Sequence, residues 1–135
     1  MLVLDTNILI ELVSHNPSVI KELQNLLEKT PSHPYIAAPS YSEFLYGYMK
    51  KSAQEQEKAK EFLNQFILLH TSKASSQMLA ELKHNLESKG EPIPIFDMLI
   101  ASIVMDKKAT FITLDEHFKN IPNLSIITLA KTEEK

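Results

Sequence analysis

Four carboxylates in this chain stand where secondary structure changes: Asp5 and Asp115 directly after strand candidates, Glu43 at the start of a helix, and Asp97 at the head of an apolar run. Carboxylates brought together repel one another and raise each other's pKa, so a group of them is stable and ionised mainly when a hard cation neutralises it. Magnesium or manganese is the natural occupant of such a site. An ion of that kind, held by carboxylates, activates a water molecule and neutralises the charge that builds on a phosphoryl group during in-line displacement. An acidic protein can act on a polyanion by this route.

Each acid also has a local structural role open to it. Asp5 can cap the helix that starts near Asn7, and local sequence supports cap and ligand equally. Glu43 lies three residues after Ser40, the spacing of a capping box, and Thr113 with Glu116 repeats that spacing around Asp115. Asp97 fits the first turn of its helix, facing the dipole. Taken singly, none of the four requires a ligand role.

The elements that must position these residues follow from the apolar pattern. Short strands are predicted at Leu2 to Leu4, Tyr35 to Ala38, Ile67 to Leu69, Thr110 to Thr113 and Ser125 to Thr128. Between them, apolar residues recur at helical spacing. Asn16-Pro17 opens one helix and Thr30-Pro31-Ser32 closes it; Ser40-Tyr41-Ser42-Glu43 opens another that runs toward Lys50 through Gly47. Ser52 and Ser72 begin two more, and Gly90 ends the second of these. Ile93 to Met105, apolar apart from Asp97 and Ser102, reads as a buried helix with one charge at its edge. No two-residue hairpin turn occurs, so the strands pair in parallel: an α/β domain is expected, three-layer α/β/α with a central parallel sheet of about five short strands. In such a sheet, sites form outside the carboxyl ends of the strands, where Asp5, Glu43, Asp97 and Asp115 would share one mouth.

Composition narrows the remaining chemistry. A chain of 135 residues, 44% hydrophobic, suits one domain over residues 1–130, with Lys131 to Lys135 as a polar tail. Cysteine is absent, which excludes disulfides, thiolate nucleophiles and cysteine zinc sites and is compatible with a cytoplasmic location. No apolar run reaches membrane-spanning length, and Asp5 and Glu11 interrupt the N-terminal run that a signal peptide would need. The net charge of −3 supplies no global basic field, and all 14 basic residues are lysine, so guanidinium forks and stacking are unavailable. The two glycines rule out a phosphate-cradling glycine-rich loop. His15, His33, His70, His84 and His117 show no paired spacing and read as surface histidines.

At this point four pieces of sequence fall into a known order: Leu4-Asp5-Thr6-Asn7-Ile8-Leu9-Ile10, Ser42-Glu43-Phe44-Leu45-Tyr46-Gly47, Ile95-Phe96-Asp97-Met98-Leu99-Ile100-Ala101 and Thr113-Leu114-Asp115-Glu116-His117-Phe118. Over nearly its whole length the chain resembles PIN-domain ribonucleases, most closely VapC-type toxins of toxin–antitoxin pairs. The resemblance implies a PIN-like fold and a magnesium or manganese site. Its principal acids would be Asp5, Glu43 and Asp97, with Asp115 a more variable fourth and Thr6, Asn7 and Thr113 in the wall. It also implies cleavage of RNA, silencing by a cognate antitoxin and assembly as a homodimer. Arginines that often surround such sites are missing, and Lys50, Lys51, Lys107 and Lys108 are the possible substitutes.

The leading expectation is a metal-dependent endoribonuclease acting as a toxin. The alternatives are a non-catalytic PIN-like module that binds RNA or protein, an RNA-processing nuclease that is not a toxin, and a phosphohydrolase of haloacid-dehalogenase or receiver type. The last would place a second aspartate close to Asp5, where Asp5-Thr6-Asn7 has none.

Overall fold

Five parallel strands form the centre of the molecule: β1 (Leu2–Leu4), β2 (Tyr35–Ala37), β3 (Ile67–Leu69), β4 (Thr110–Thr113) and β5 (Ser125–Thr128), in the order β3-β2-β1-β4-β5. The computed structural model describes residues 1–30 and 32–130; Pro31 and the expected tail, Lys131 to Lys135, lie outside the described residues. The chain builds outward from β1 to β2 and β3, then returns across the sheet to β4 on the other side of β1. The order therefore reverses between β1 and β4, and a crevice opens there beyond the strand ends.

Side-chain alternation along each strand splits the core in two. Val3, Ala37, Leu69 and Phe111 face one side, where they pack with residues of α5 (Lys73–Ser88) and α6 (Ile95–Asp106). Leu2, Leu4, Ile36 and Ile112 face the other, packing with α1 (Thr6–Val13), α2 (Pro17–Lys29), α3 (Ala38–Tyr46) and α4 (Ala53–Leu63). Crossovers of constant hand deposit helices on one face while the chain moves outward and on the opposite face once it turns back. The three-layer α/β/α expectation holds.

α6 is the helix apolar almost all round. Met98, Ile100, Ala101, Ser102, Ile103 and Val104 are buried, and the Ser102 hydroxyl is satisfied by donating to the Leu99 carbonyl at 2.7 Å. Asp97 sits in its first turn, at the exposed end of an otherwise buried rod. Pro94 caps this helix without a side-chain hydrogen bond, so the first-turn acid faces uncapped N–H groups.

Two boundaries differ from the sequence expectation. α3 starts at Ala38, directly after β2, with Pro39 inside its first turn. Proline is well suited to that place, because its missing N–H has no partner to lose there. Ser40 is therefore within the helix, not its cap; its buried hydroxyl has no hydrogen-bond partner, and the Ser40–Glu43 capping box does not form. Glu43 moves from the expected first turn to the second. The same helix ends at Tyr46 and not near Lys50: Gly47 is its cap, and the chain continues in turns, with Tyr48 N–H donating to Leu45 O at 2.9 Å and Met49 N–H to Tyr46 O at 3.1 Å.

Beyond β4, Glu116–Asn120 forms a single 3₁₀ turn pinned by Phe118, whose ring is 1% exposed and meets Phe111 edge-on with centroids 4.9 Å apart. Replacing Phe118 by Ala should cost about 3–5 kcal/mol, as deletion of a buried ring does. Urea unfolding would report it as a lower midpoint with unchanged slope. A change within error of zero would mean that this turn does not fold with the core.

Candidate metal centre

The crevice between β1 and β4 is built from the residues that end those strands. Asp5 leaves β1 and is 6% exposed, with its backbone N–H still in the ladder, donating to Ile112 O at 2.9 Å. Its side chain caps α1, accepting from Thr6 N–H at 2.8 Å, and also accepts from the Thr113 hydroxyl at 2.6 Å. The two readings of Asp5 are thus compatible: it caps a helix and lies in the crevice.

Thr113 is the hub of this arrangement. Its oxygen accepts from Asn7 Nδ2 at 3.3 Å and from Asp115 N–H at 3.0 Å. A hydroxyl has one proton and two lone pairs, so two donors aimed at the oxygen send its own proton to Asp5. Asn7 is fixed in turn because its Oδ1 accepts from Leu114 N–H at 3.3 Å. Across the crevice, Glu43 accepts from the Thr6 hydroxyl at 3.0 Å. The expected wall residues Thr6, Asn7 and Thr113 therefore orient acids of the site.

Burial pushes the Asp5 carboxyl up from 3.8 to about 6. Hydrogen bonds from Thr113 and Thr6 act against that rise, and the charges of Asp97 and Glu43 add to it. Glu43 is raised as well, first by burial and then by Asp97, with the Thr6 hydroxyl opposing. Asp5, Glu43 and Asp97 thus feel one another's charge, as a common mouth requires. Asp115 joins by a different route. It caps the 3₁₀ turn through His117 N–H at 3.1 Å, and it lies 2.6 Å from His117 Nδ1.

His117 is at the surface, as its sequence context suggests, but it is not a bystander: its Nε2 is 3.0 Å from Asp97 Oδ2 while Nδ1 faces Asp115, so one imidazole bridges two of the four acids. Its ring also stacks on Phe118, 4.7 Å away. A neutral imidazole satisfies one of the two carboxylates and an imidazolium both. Histidine spacing does not reveal this role, because the partners of His117 are carboxylates; the signal in the sequence is its position two residues beyond an acid that follows a strand.

Among the described residues, no three acid or histidine groups are already closed around a point that could hold an ion. The donors that converge on the crevice are carboxylate oxygens, oriented by hydroxyl and amide groups and hard enough to suit magnesium or manganese. Magnesium commonly uses one or two carboxylates and keeps several waters, so an open acidic mouth suits it better than a closed cage would.

Lys107 and Lys108 follow the far end of α6, about 15 Å along the helix from Asp97 at 1.5 Å per residue, at the opposite edge of the sheet. They do not flank the acids. Lys51 does, lining a cleft of about 260 Å³ with Glu43 and Tyr48.

The raised Asp5 carboxyl has a consequence in the metal-free protein. Between about pH 4 and about pH 6 the folded state retains a proton that the unfolded chain releases, so this group's contribution to stability falls as pH rises through that window and levels off above it. Asp5→Asn should remove up to roughly 3 kcal/mol of that fall. Urea unfolding in EDTA on both sides of the window measures it; identical pH slopes for the two proteins would contradict a buried, charge-crowded Asp5.

Comparison with known proteins identifies the family of the chain. The PIN domain model matches residues 2–124. Ribonuclease VapC2 of Rickettsia felis is 34% identical over 126 residues, covering 90% of this chain and 92% of that protein. The crystal structure of VapBC2 from Rickettsia felis, bound to a DNA fragment from its promoter, superposes with a TM-score of 0.82 at 33% identity, covering 94% of this chain and 97% of that one. DNA-bound VapBC from Salmonella typhimurium gives 0.79 at 25% identity, covering 94% and 96%. The PIN domain model covers most of this chain, and the chain belongs to the PIN-domain family.

Proposed function

We propose that this protein is a metal-dependent endoribonuclease that hydrolyses RNA phosphodiester bonds, and that it is the toxin of a toxin–antitoxin pair. The observation that carries the reading is the convergence of Asp5, Glu43, Asp97 and Asp115 on one crevice, in a chain similar to a ribonuclease VapC2. Likeness to VapBC complexes supports a cognate antitoxin as partner. Homodimer formation is carried over from the family resemblance. No helix among the described residues is long and apolar enough to cross a membrane, which accords with a cytoplasmic RNA substrate.

Asp5 and Asp97 would be the principal ligands of magnesium or manganese, with Glu43 and Asp115 completing the acidic surround. Bound there, the ion would supply a Lewis acid that lowers the pKa of a water and neutralises charge on the phosphoryl group. The protein's own part is orientation. Thr113 holds one oxygen of Asp5, Thr6 turns Glu43 toward the mouth, and His117 fixes Asp97 and Asp115 relative to each other. Glu43, with its raised pKa, is suited to hold or accept a proton from the attacking water.

Purified protein incubated with RNA and manganese should cut it, and EDTA should stop the reaction. Asp97→Asn should lower the rate by more than about a hundredfold, beyond the 10–100-fold typical of a residue that only supports a ligand. His117→Ala should fall within that smaller range. Metal-free Asp97→Asn should also melt higher than wild type, with a smaller rise when magnesium is added, because the substitution relieves repulsion and removes a ligand together. Cleavage unaffected by EDTA, or equal magnesium shifts in the two proteins, would defeat the shared-site assignment.

A further inference from the structure

Beside the acids, a recess of about 390 Å³ is lined by Ser42, Glu43, Tyr46 and Phe96. We propose that this recess takes one base of the substrate strand, held by the Tyr46 and Phe96 rings. The inference rests on the nuclease reading of the acids and adds to it how a strand is gripped.

Both rings are tied to the crevice by local geometry. Glu43 and Tyr46 are three residues apart on α3 and share a helix face. Phe96 immediately precedes Asp97 on α6, so its side chain leaves the helix in a different direction from the acid, toward the Glu43 side where the recess lies. Neither ring serves the core: Tyr46 is 78% exposed and Phe96 41%, and both lie outside the two core clusters. Two large aromatics standing in water next to a proposed catalytic mouth have no role in folding that would keep them there.

Charge selects the occupant. The acids repel phosphate, and the chain has no arginine with which to clamp a backbone or stack on a base. A nucleobase is uncharged and has two π-faces, and aromatic stacking is the sequence-tolerant way to hold a single strand. On the other side of Glu43, the cleft containing Lys51 offers a cation to the neighbouring backbone. A base in one recess and a phosphate near the other would draw the strand across Glu43. A base stacked inside a duplex cannot enter the recess.

Binding tests this apart from catalysis. Cleavage is blocked with Asp97→Asn, and affinity for a short unpaired RNA is read in magnesium by anisotropy, with one base replaced by 2-aminopurine to report stacking. Adding Tyr46→Leu or Phe96→Leu should weaken binding about five- to a hundredfold and abolish the fluorescence change, while Tyr46→Phe retains both. Removing the reporting base from the RNA should cause a similar loss that does not add to that of the Leu variants. Both side chains are exposed, so unchanged melting temperatures verify the fold.

Leu variants that bind RNA as tightly as the parent would overturn the proposal. So would Leu variants that bind RNA normally but change the sedimentation behaviour of the protein, since the rings would then seat a second copy of the chain. A wild-type protein that never cuts RNA, yet binds it through these rings, would defeat the nuclease reading and leave the stacking site standing. Efficient cleavage with ring-independent affinity would do the reverse.

Discussion

The site depends on a hydrogen bond 2.6 Å long between neighbouring strands, from the Thr113 hydroxyl to the Asp5 carboxylate. A buried carboxylate is costly unless donors surround it, and Asp5 lies in the crevice where the order of the sheet reverses. Two donors reach it: Thr6 N–H at the start of α1 and the Thr113 hydroxyl at the end of β4. The second has a fixed direction only because Asn7 and Asp115 N–H occupy the oxygen's lone pairs. Asp5, Thr6, Asn7, Thr113 and Asp115 thereby form one interlocked unit, and the parallel pairing of β1 with β4 brings its halves together.

Around that unit the fold supplies rigidity from opposite faces of the sheet. α3 brings Glu43 from the layer that also contains α1, and α6 brings Asp97 from the other. α6 is anchored along its length by buried apolar residues and exposes mainly its first turn, so its acid is carried on a stiff support. These acids have neutral or basic partners: hydroxyls on Asp5 and Glu43, an imidazole between Asp97 and Asp115. Each partner lessens the cost of crowding without filling the mouth. The result is an open site in which charge is concentrated and partly relieved, the condition in which a hydrated divalent ion is most strongly attracted.

Much of this was legible in the sequence, because the determining signals are local. Strand–helix alternation points to the parallel sheet, and the caps expected at Asn16 and Ser72 form in the structure. The gathering of Asp5, Glu43 and Asp97 was legible as well, since it follows from which edge of a parallel sheet each residue ends on. Other features were hidden where two local signals competed. Ser40 with Glu43 has capping-box spacing, but Pro39 is better used inside the first turn, and the helix starts before the serine can cap it. His117 escaped notice because its role depends on a contact with Asp97, twenty residues away, which no local pattern encodes. Lys107 and Lys108 were drawn toward the site by composition alone, and the length of α6 removes them from it.

The lack of arginine links these points. A nuclease must hold a polyanion against its own acidic mouth, and guanidinium groups would do this through the backbone. Here Lys51 stands beside Glu43, where it would join the metal that the acids gather, and the recess lined by Ser42, Glu43, Tyr46 and Phe96 presents two aromatic rings. Affinity in such a site would come largely from the part of RNA that carries no charge, with the backbone neutralised where the ion and Lys51 sit. Weak dependence of binding on bulk salt follows from that division, because few phosphate counterions are released when stacking supplies the grip. The chain's negative charge is then no obstacle to its substrate: it leaves the phosphate that meets the metal as the main point where backbone charge is drawn in.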